Sequence, residues 1–477
     1  MEAQAKKKEI VSYLIRKGIL VKPEFLQRLS NSSELDQIYA QVQKQKDPTQ
    51  IFFSEKPTSD SKVKIIFNYE TQSKKRTTQD FIDYYNARYR TIEKMLQNRQ
   101  ELNALTSIGR LTGKQERETV SIIGMIKDKQ VTKNNNIILE IEDPTGTIKV
   151  LASKNKPDVH ETADNTIFDE IIGITGVTGN NIVFANTIVL PEVPAITELK
   201  KAPDETYAVV LADLHVGSGE FLEEELKRFL EWIRGESGNE EQKRVAQKVK
   251  YIFIAGDLVA GVGIYPKQED ELSIADVYEQ FEKCAEYIKQ IPSHIPIIIC
   301  PGNHDPGRIS EPQPPLSKEY AKTLYELPNV IMVSNPAIIN IHASENFPGF
   351  DVLLYHGFSF DEYAAKIPLI RTNGGYDRGD LIMKFLLQRR HLAPSHTSTL
   401  HIPDADCDPL VIEKVPDFFL TGHIHKTSVA NYRGITMICA SCWEGKTAFQ
   451  EKVGHNPEPC RVPIINLQTR AIKIMRF

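Results

Sequence analysis

Three patterns of hydrophobic and polar residues follow one another along the chain. Near the N-terminus the apolar residues Ile10, Leu14 and Ile15 recur at helical spacing, and Pro23 suits the first turn of a second helix. We therefore expect a small helical module over residues 1–45.

Residues 46–116 are predicted to be a linker and connecting segment. The composition is polar and proline-containing up to residue 61, and residues 63–67 then have the apolar character of a strand. A helix-like stretch that mixes rings with cations follows. Such a stretch is a stacking and phosphate-binding surface, or else a helix that packs its tyrosines inward and exposes its arginines, and we favour the second interpretation. The residues concerned are Tyr84, Tyr85, Arg88, Tyr89 and Arg90.

Between residues 117 and 195 the pattern changes to short β-strands. Five apolar runs are separated by turn sequences such as Asp143-Pro144-Thr145-Gly146, which predicts an OB-fold barrel. An OB barrel binds single strands through basic grooves with exposed aromatic rings, yet this segment offers only Phe168 and Phe184 and carries mixed charge. We therefore favour a barrel that docks another protein. The predicted strands cover residues 120–126, 137–141, 147–152, 171–177 and 182–189.

Composition narrows the class of protein. The 477 residues contain 41% hydrophobic and 25% charged residues, which is typical of a folded globular chain. With 58 Lys and Arg against 63 Asp and Glu, the net charge of −5 provides no overall basic field, so any contact with DNA must be local. The longest apolar runs are far shorter than the roughly 18 to 20 residues of a membrane span, and we expect a cytoplasmic protein.

Residues 205–477 alternate buried strands with helices, and five apolar runs there end at residues that bind metals. Because strand C-termini converge at one edge of a sheet, these side chains are expected to meet in space. A mixed Asp, His and Asn set suits Mn²⁺, Zn²⁺ or Fe²⁺, and its size indicates two ions bridged by Asp257. The motifs are Asp213-Leu214-His215, Gly256-Asp257, Gly302-Asn303-His304-Asp305, His356-Gly357 and Gly422-His423-Ile424-His425.

These five motifs resemble the signature of the calcineurin-like metallophosphoesterases. With the barrel and helical module upstream, the chain is similar to the small subunit of archaeal D-family DNA polymerases and to the B-subunits of eukaryotic replicative polymerases. The eukaryotic relatives have lost the metal residues, whereas every position is filled here, so the resemblance implies an active enzyme. It also implies a multidomain α/β (α+β) fold, in which an OB-fold barrel precedes a metallophosphoesterase β-sandwich flanked by helices.

The resemblance further implies a role for each motif residue. One metal is expected at Asp213, His215, Asp257 and His425, and the other at Asp257, Asn303, His356 and His423. His304 then protonates the leaving oxygen, and Asp305 orients its ring. The implied activity is two-metal 3′–5′ exonuclease proofreading during DNA replication, with Mn²⁺ the expected ion and Mg²⁺, Zn²⁺ or Fe²⁺ left open.

The implied partners are a large catalytic polymerase subunit and a single-stranded or mismatched DNA 3′ end, in a nucleoid-associated complex without a membrane. A sliding clamp is left open as a further partner. Arg389, Arg390 and His391 form a basic cluster that either contacts DNA phosphates or is a solvated helix face. Two other functions also remain: a catalytically silent assembly scaffold, and a general metallophosphodiesterase.

Overall fold

The computed structural model describes residues 6, 10, 63–70, 74–111, 117–196, 198–404 and 407–477. The predictions of a helical module over residues 1–45 and of a linker before residue 63 therefore lie outside the described residues, except at positions 6 and 10. The chain divides into two compact units, residues 1–60 and residues 61–477.

The first described elements are strand β1 (Val63–Asn68) and helix α1 (Thr78–Gln97). The helix begins where the Asp80 carboxylate accepts a hydrogen bond from the backbone N–H of Thr77. Its tyrosines Tyr84 and Tyr89 are buried, as predicted, but Arg88 is buried with them and only Arg90 of the two arginines is exposed. The prediction that both arginines face solvent is therefore wrong for Arg88, which has a buried carboxylate partner described below.

Five strands close into a barrel in the order β2-β3-β4-β6-β5. The predicted strands are all present, and β2 continues beyond residue 126 because a bulge between Ile126 and Asp128 shifts its register against β3. At the turn between β3 and β4, Asp143 Oδ1 accepts the backbone N–H groups of Thr145 and Gly146, which fixes the hairpin. The elements are β2 (Thr119–Val131), β3 (Ile137–Asp143), β4 (Gly146–Ala152), α2 (Pro157–Asp164), β5 (Ile171–Gly179) and β6 (Ile182–Val189).

The remaining strands form two six-stranded sheets, one in the order β10-β9-β8-β7-β16-β17 and the other in the order β1-β11-β12-β13-β15-β14. Their inner faces pack together through apolar side chains, including Val210 and Phe253 from the first sheet and Leu354 and Leu420 from the second. The strands are β7 (Tyr207–Leu211), β8 (Val249–Ala255), β9 (Ile297–Cys300), β10 (Val330–Met332), β11 (Ala337–Ile341), β12 (Phe350–Leu354), β13 (Phe418–Thr421), β14 (Ser428–Tyr432), β15 (Ile435–Cys439), β16 (Arg461–Asn466) and β17 (Ile472–Arg476).

Helices cover the outer face of each sheet, so the central strands are buried on both faces, which explains their nearly continuous apolar sequences. The architecture is therefore mixed α/β, with a barrel beside a two-sheet sandwich. No helix among the described residues is long and apolar enough to cross a membrane. The helices are α3 (Glu223–Ile233), α4 (Glu240–Ala246), α5 (Val277–Ile288), α6 (Lys322–Tyr325), α7 (Phe360–Lys366), α8 (Pro368–Thr372), α9 (Gly379–Arg389) and α10 (Ala448–Val453).

Candidate metal centre

The five motifs meet at the C-terminal ends of parallel strands. Strands β7, β8 and β9 are parallel in one sheet, and β12 and β13 are parallel in the other, so the loops after them reach the same edge of the sandwich. Five non-glycine residues in these loops have left-handed backbone conformations, a strain that concentrates at functional sites. They are Asp213, His215, Asp257, His423 and His425, with φ between 50° and 72°.

Two glycines allow the loops to approach one another this closely. A Cβ at Gly302 would stand 2.1 Å from Asp257 Oδ1, and one at Gly422 would stand 2.4 Å from Asp213 Oδ2. Both contacts are far below van der Waals distance, so no side chain fits at either position without moving a candidate ligand.

The first group of donors consists of Asp213, His215 and His425. The Nε2 atoms of His215 and His425 are 3.0 Å apart, and Asp213 Oδ1 lies 3.5 Å from Nε2 of His425 and 3.9 Å from Nε2 of His215. Burial and the neighbouring imidazoles of His304 and His425 lower the pKa of His215, which keeps its ring neutral. Neutral imidazole and ionised carboxylate are the forms that bind a metal.

The second group of donors surrounds His356. Its Nδ1 donates to the carbonyl of Ala255 at 2.7 Å, while its Nε2 lies 2.9 Å from Asn303 Oδ1 and 3.4 Å from Asp257 Oδ2. Asp257 Oδ2 is also 3.9 Å from Nε2 of His215, so this carboxylate stands between the two groups. Burial opposes the charge of Asp257, but the imidazoles of His356 and His304 outweigh burial and lower the pKa of the carboxyl group.

These donors fit divalent cations. With Nδ1 of His356 committed to a carbonyl, its Nε2 lone pair faces the oxygens of Asn303 and Asp257, an arrangement that requires a positive charge between them. The pKa of His356 shows the same preference for a positive charge. Burial opposes protonation of the ring, but the Asp257 and Asp213 carboxylates outweigh burial and raise the pKa of His356 to about 10. A proton or a metal ion supplies that charge, and the carboxylate, imidazole and amide set suits a metal.

His423 joins the site through its neighbours. Its backbone N–H donates to Asp213 Oδ2 at 2.9 Å, and its Nε2 lies 3.3 Å from Asp361 Oδ1 in the first turn of α7. The sequence analysis missed Asp361. The available signal was an acidic residue in a helical first turn five positions after His356, a pattern too common to single out without the structure.

The ring of His304 is oriented by a carbonyl group. Its Nδ1 donates to the backbone oxygen of Ala260 at 2.9 Å, and no hydrogen bond within the described residues engages its Nε2. A ring nitrogen of His304 lies within 4.8 Å of donor atoms of His215 and Asp257, so the ring stands beside the predicted metal positions.

Asp305 has a different role from the one expected. Its two carboxylate oxygens accept backbone N–H groups from Leu258, Val259 and Gly302, at 3.0, 3.3 and 2.8 Å. Burial and the nearby Asp257 raise the pKa of Asp305 to about 7. The prediction that Asp305 orients His304 is therefore wrong: Asp305 ties the loop after β8 to the loop after β9.

The prediction for the basic cluster at the end of α9 is also wrong. Arg389, Arg390 and His391 are 5%, 6% and 1% exposed, so neither a DNA contact nor a solvated helix face describes them. Arg389 forms an ion pair with Glu170 of the barrel at 2.9 Å, and Arg390 donates to the carbonyls at positions 412 and 413. All three donate their hydrogen bonds inside the protein, and Arg389 joins the barrel to the sandwich.

His391 belongs to a buried network with α1. Asp408 Oδ2 accepts from Nε2 of His391 at 2.7 Å and from Nε of Arg88 at 2.6 Å. Arg88 also donates to the carbonyl of Pro394 and to the hydroxyl of Tyr84. Burial opposes the charge of Asp408, but Arg88 and His391 outweigh it and lower the pKa of the carboxyl group. The network attaches α1 to the sandwich.

A cleft of about 290 Å³ opens over the candidate metal centre. His215, Asp257 and Asn303 lie in its wall with His304, His423 and His425. The cleft therefore leaves the clustered donors open to solvent on one side.

Comparison with known proteins identifies the family. Residues 208–429 match the family of B-subunits of DNA polymerases alpha and epsilon. The DNA polymerase II small subunit of Methanothermobacter thermautotrophicus is 40% identical over 83% of this chain and 79% of its own length, and that of Archaeoglobus fulgidus is 38% identical over 81% and 75%.

The alignment with a solved archaeal phosphodiesterase covers 57% of this chain and 100% of that protein's chain, at only 12% identity and a TM-score of 0.28. By contrast, the sequence identity to the two small subunits extends over most of this chain and most of each relative. The site described above lies within the matched region of residues 208–429. The chain therefore belongs to the family of archaeal D-family DNA polymerase small subunits, named DNA polymerase II small subunits.

Proposed function

We propose that this chain is a metal-dependent 3′–5′ exonuclease that proofreads during DNA replication as the small subunit of a two-subunit DNA polymerase. The observation that carries the proposal is the complete donor set around Asp257, with His304 beside it in the wall of the same cleft. A scaffold without catalytic function would not need seven converging donors in strained loops.

Two divalent cations, most simply Mn²⁺, would be held by the donors already named. One set is Asp213, His215, Asp257 and His425, and the other is Asp257, Asn303, His356 and His423. When bound, such a pair supplies charge stabilisation for the phosphoryl oxygens and lowers the pKa of water. Among the residues that the structure describes, Asp257 is the one carboxylate with donors of both groups within 4 Å, so it is the bridge in this proposal.

His304 is the proposed proton donor. Because Nδ1 holds its proton against the carbonyl of Ala260, a second proton on Nε2 is the one available for transfer to the leaving 3′-oxygen. The carbonyl also fixes the plane of the ring, which keeps Nε2 on the cleft side. The product of this reaction would be a nucleoside 5′-monophosphate.

The names of the relatives support a second part of the proposal, a large polymerase subunit as the partner of this chain. We assign docking to the barrel, which we propose is an OB fold. Phe168 and Phe184 are 40% and 43% exposed on it, and glutamate at either position should weaken copurification with the large subunit. Thr187→Glu on the same strand as Phe184 is the matched charge control. Undiminished copurification in both phenylalanine variants would contradict the assignment.

The nuclease test uses the full chain with Mn²⁺ and a single-stranded oligonucleotide labelled at its 3′ end. Wild-type protein should release a labelled mononucleotide, Asp257→Ala should not, and Asp158→Ala on exposed α2 should match the wild type. A phosphopeptide assayed in parallel tests the general phosphoesterase alternative. Absence of DNA cleavage by the metal-loaded chain, alone and with its large subunit, would contradict the proposal and favour a scaffold.

A further inference from the structure

The short helix α10 lies at the mouth of the cleft and is held there by few contacts. None of its residues is buried, and Phe449 and Val453 are 40% and 46% exposed. A capping box at Thr447 and a left-handed Gly454 define its two ends. Because this helix buries so little surface, packing against the core does not account for its position at the cleft.

Two stacked ring pairs connect this helix and the residues after it to other residues that line the cleft. Phe449 stacks on Tyr265, with centroids 4.7 Å apart and planes at 20°, and His455 stacks on Tyr376, at 3.9 Å and 12°. All four rings line the cleft. The pairs therefore present aromatic surface in the wall of the cleft that contains the candidate metal centre.

The helix also reaches the metal centre directly. The side-chain amide of Gln450 lies 3.0 Å from Nδ1 of His425, and its Nε2 donates to Glu444 Oε2 at 3.3 Å. His425 is one of the first group of donors. The helix that carries Phe449 is thus hydrogen-bonded to a proposed metal ligand.

The described side chains that line the cleft lack the basic groups that usually bind the phosphates of nucleic acid. Among the described residues that line it there is no Lys or Arg, whereas Asp257, Glu271, Asp361 and Glu444 are all present. Phosphate contacts from basic side chains normally supply most of the affinity for a DNA strand. The proposed cations would hold only the phosphate at the point of cleavage, so the side chains that line the cleft attract the rest of a strand through the faces of its bases. Aromatic rings stack on bases without regard to sequence.

We propose that the ring pairs Phe449–Tyr265 and His455–Tyr376 are the specificity-determining elements of the site, which receive the unstacked bases of a DNA 3′ end. This inference rests on the proposed nuclease function and deepens it. A base must leave its helix to lie against a ring, so the site selects unpaired 3′ ends, and the terminal pairs of a mismatched primer open more easily than matched ones.

The test compares two single-stranded oligonucleotides with the same backbone, one with normal bases and one with abasic sites at its two 3′-terminal positions. Wild-type protein should show a KM at least about 5-fold lower for the strand that carries bases, because each stacked base contributes about 5- to 150-fold. Phe449→Leu keeps apolar bulk but removes the ring, and it should reduce that preference while kcat stays close to the wild-type value. Phe449→Trp should retain the preference, and Val453→Ala, on the same helix but in neither ring pair, should behave as the wild type.

A binding measurement makes the result independent of cleavage. An oligonucleotide with 2-aminopurine at its 3′ end should lose fluorescence when it binds wild-type protein, as the base stacks, and should lose less with Phe449→Leu.

Equal KM values for the two strands, or an unchanged fluorescence response in Phe449→Leu, would overturn the inference even where wild-type protein cleaves DNA. A protein that quenches 2-aminopurine but cleaves no strand would instead support stacking and contradict the nuclease. Loss of the large subunit from Phe449→Leu with an unchanged KM would identify the ring as a subunit contact and also overturn the inference.

Discussion

His304 donates from Nδ1 to the backbone carbonyl of Ala260 at 2.9 Å, and the adjacent Asp305 takes no part in orienting its ring. A carbonyl cannot take up a proton at neutral pH, so it fixes the tautomer of the ring without forming an ion pair. The imidazole is thereby oriented by the loop after β8, while the residue itself follows β9. Any change in the relative position of these two loops should therefore alter the proposed proton donor.

Replacement of His304 by alanine should reduce DNA hydrolysis by roughly 10² to 10⁴, the usual contribution of a positioned acid, with little change in the free energy of unfolding. Single-turnover rates and chemical denaturation of the same preparations give the two quantities. His294→Ala removes an exposed histidine and serves as the control. A large loss of stability together with the loss of activity would show that His304 supports the fold instead.

Asp305→Asn should act mainly on stability. The amide group presents N–H to backbone N–H donors that now point at a carboxylate oxygen, so we expect a loss of roughly 1 to 3 kcal/mol in the free energy of unfolding. The pH dependence of the residual cleavage should keep the wild-type shape, because the carbonyl of Ala260 still orients His304. A displaced pH profile in this variant would restore Asp305 to the role expected from the sequence.

Asp361→Asn should weaken the binding of one of two metal ions. Outer carboxylates that hold a ligating histidine typically contribute 10- to 100-fold to metal affinity, and Asp361 lies 3.3 Å from Nε2 of His423. Titration calorimetry with Mn²⁺ measures this directly, without reference to activity. Asp377→Asn removes a nearby carboxylate whose partner is Lys426, and this control should bind both ions as the wild type does.

Arg88→Ala should destabilise the protein by about 3 to 5 kcal/mol, because it leaves the buried carboxylate of Asp408 without its cation. Arg90→Ala, two positions away on the exposed side of α1, should change stability by less than about 0.5 kcal/mol. Denaturant unfolding of the two variants compares a buried and an exposed arginine on one helix. Equal effects would contradict the structural role given to Arg88.

The pH dependence of stability should include a contribution from His391. Burial and the Arg88 guanidinium lower its pKa to about 4, and the backbone N–H of Ala393 donates to its Nδ1, so the folded state holds the ring neutral. The unfolded chain binds a proton near the ordinary pKa of about 6.5. Stability from this group is therefore complete above pH 6.5 and decreases as the pH falls towards 4, by about 1.4 kcal/mol per pH unit.

His391→Gln should remove that slope, which unfolding free energies measured between pH 4.5 and 7 on the two proteins would reveal as a difference between curves. His396→Gln, at a half-exposed histidine that pairs with Asp169, controls for the loss of a histidine as such. Parallel curves for His391→Gln and the wild type would show that folding does not lower the pKa of this ring.

The sequence by itself determined the strands and the identity of the donors. Strand periodicity and turn residues are local properties, and the strand predicted over residues 182–189 has the same bounds in the structure. The donors were recognisable for a similar reason, since each lies directly after an apolar run and parallel strand ends must converge. What the donors bind, and the reaction itself, stay predictions.

Only the tertiary structure decided which partner each polar side chain has. Arg88 meets Asp408 across 320 positions, and Arg389 meets Glu170 across 219, so neither burial follows from the neighbouring sequence. Similarly, Asp305 lies beside His304 in the chain but bonds to backbone N–H groups of the loop after β8. A charged residue looks the same in sequence whether it faces water or a buried counter-charge, because its burial is fixed by elements that the fold brings together.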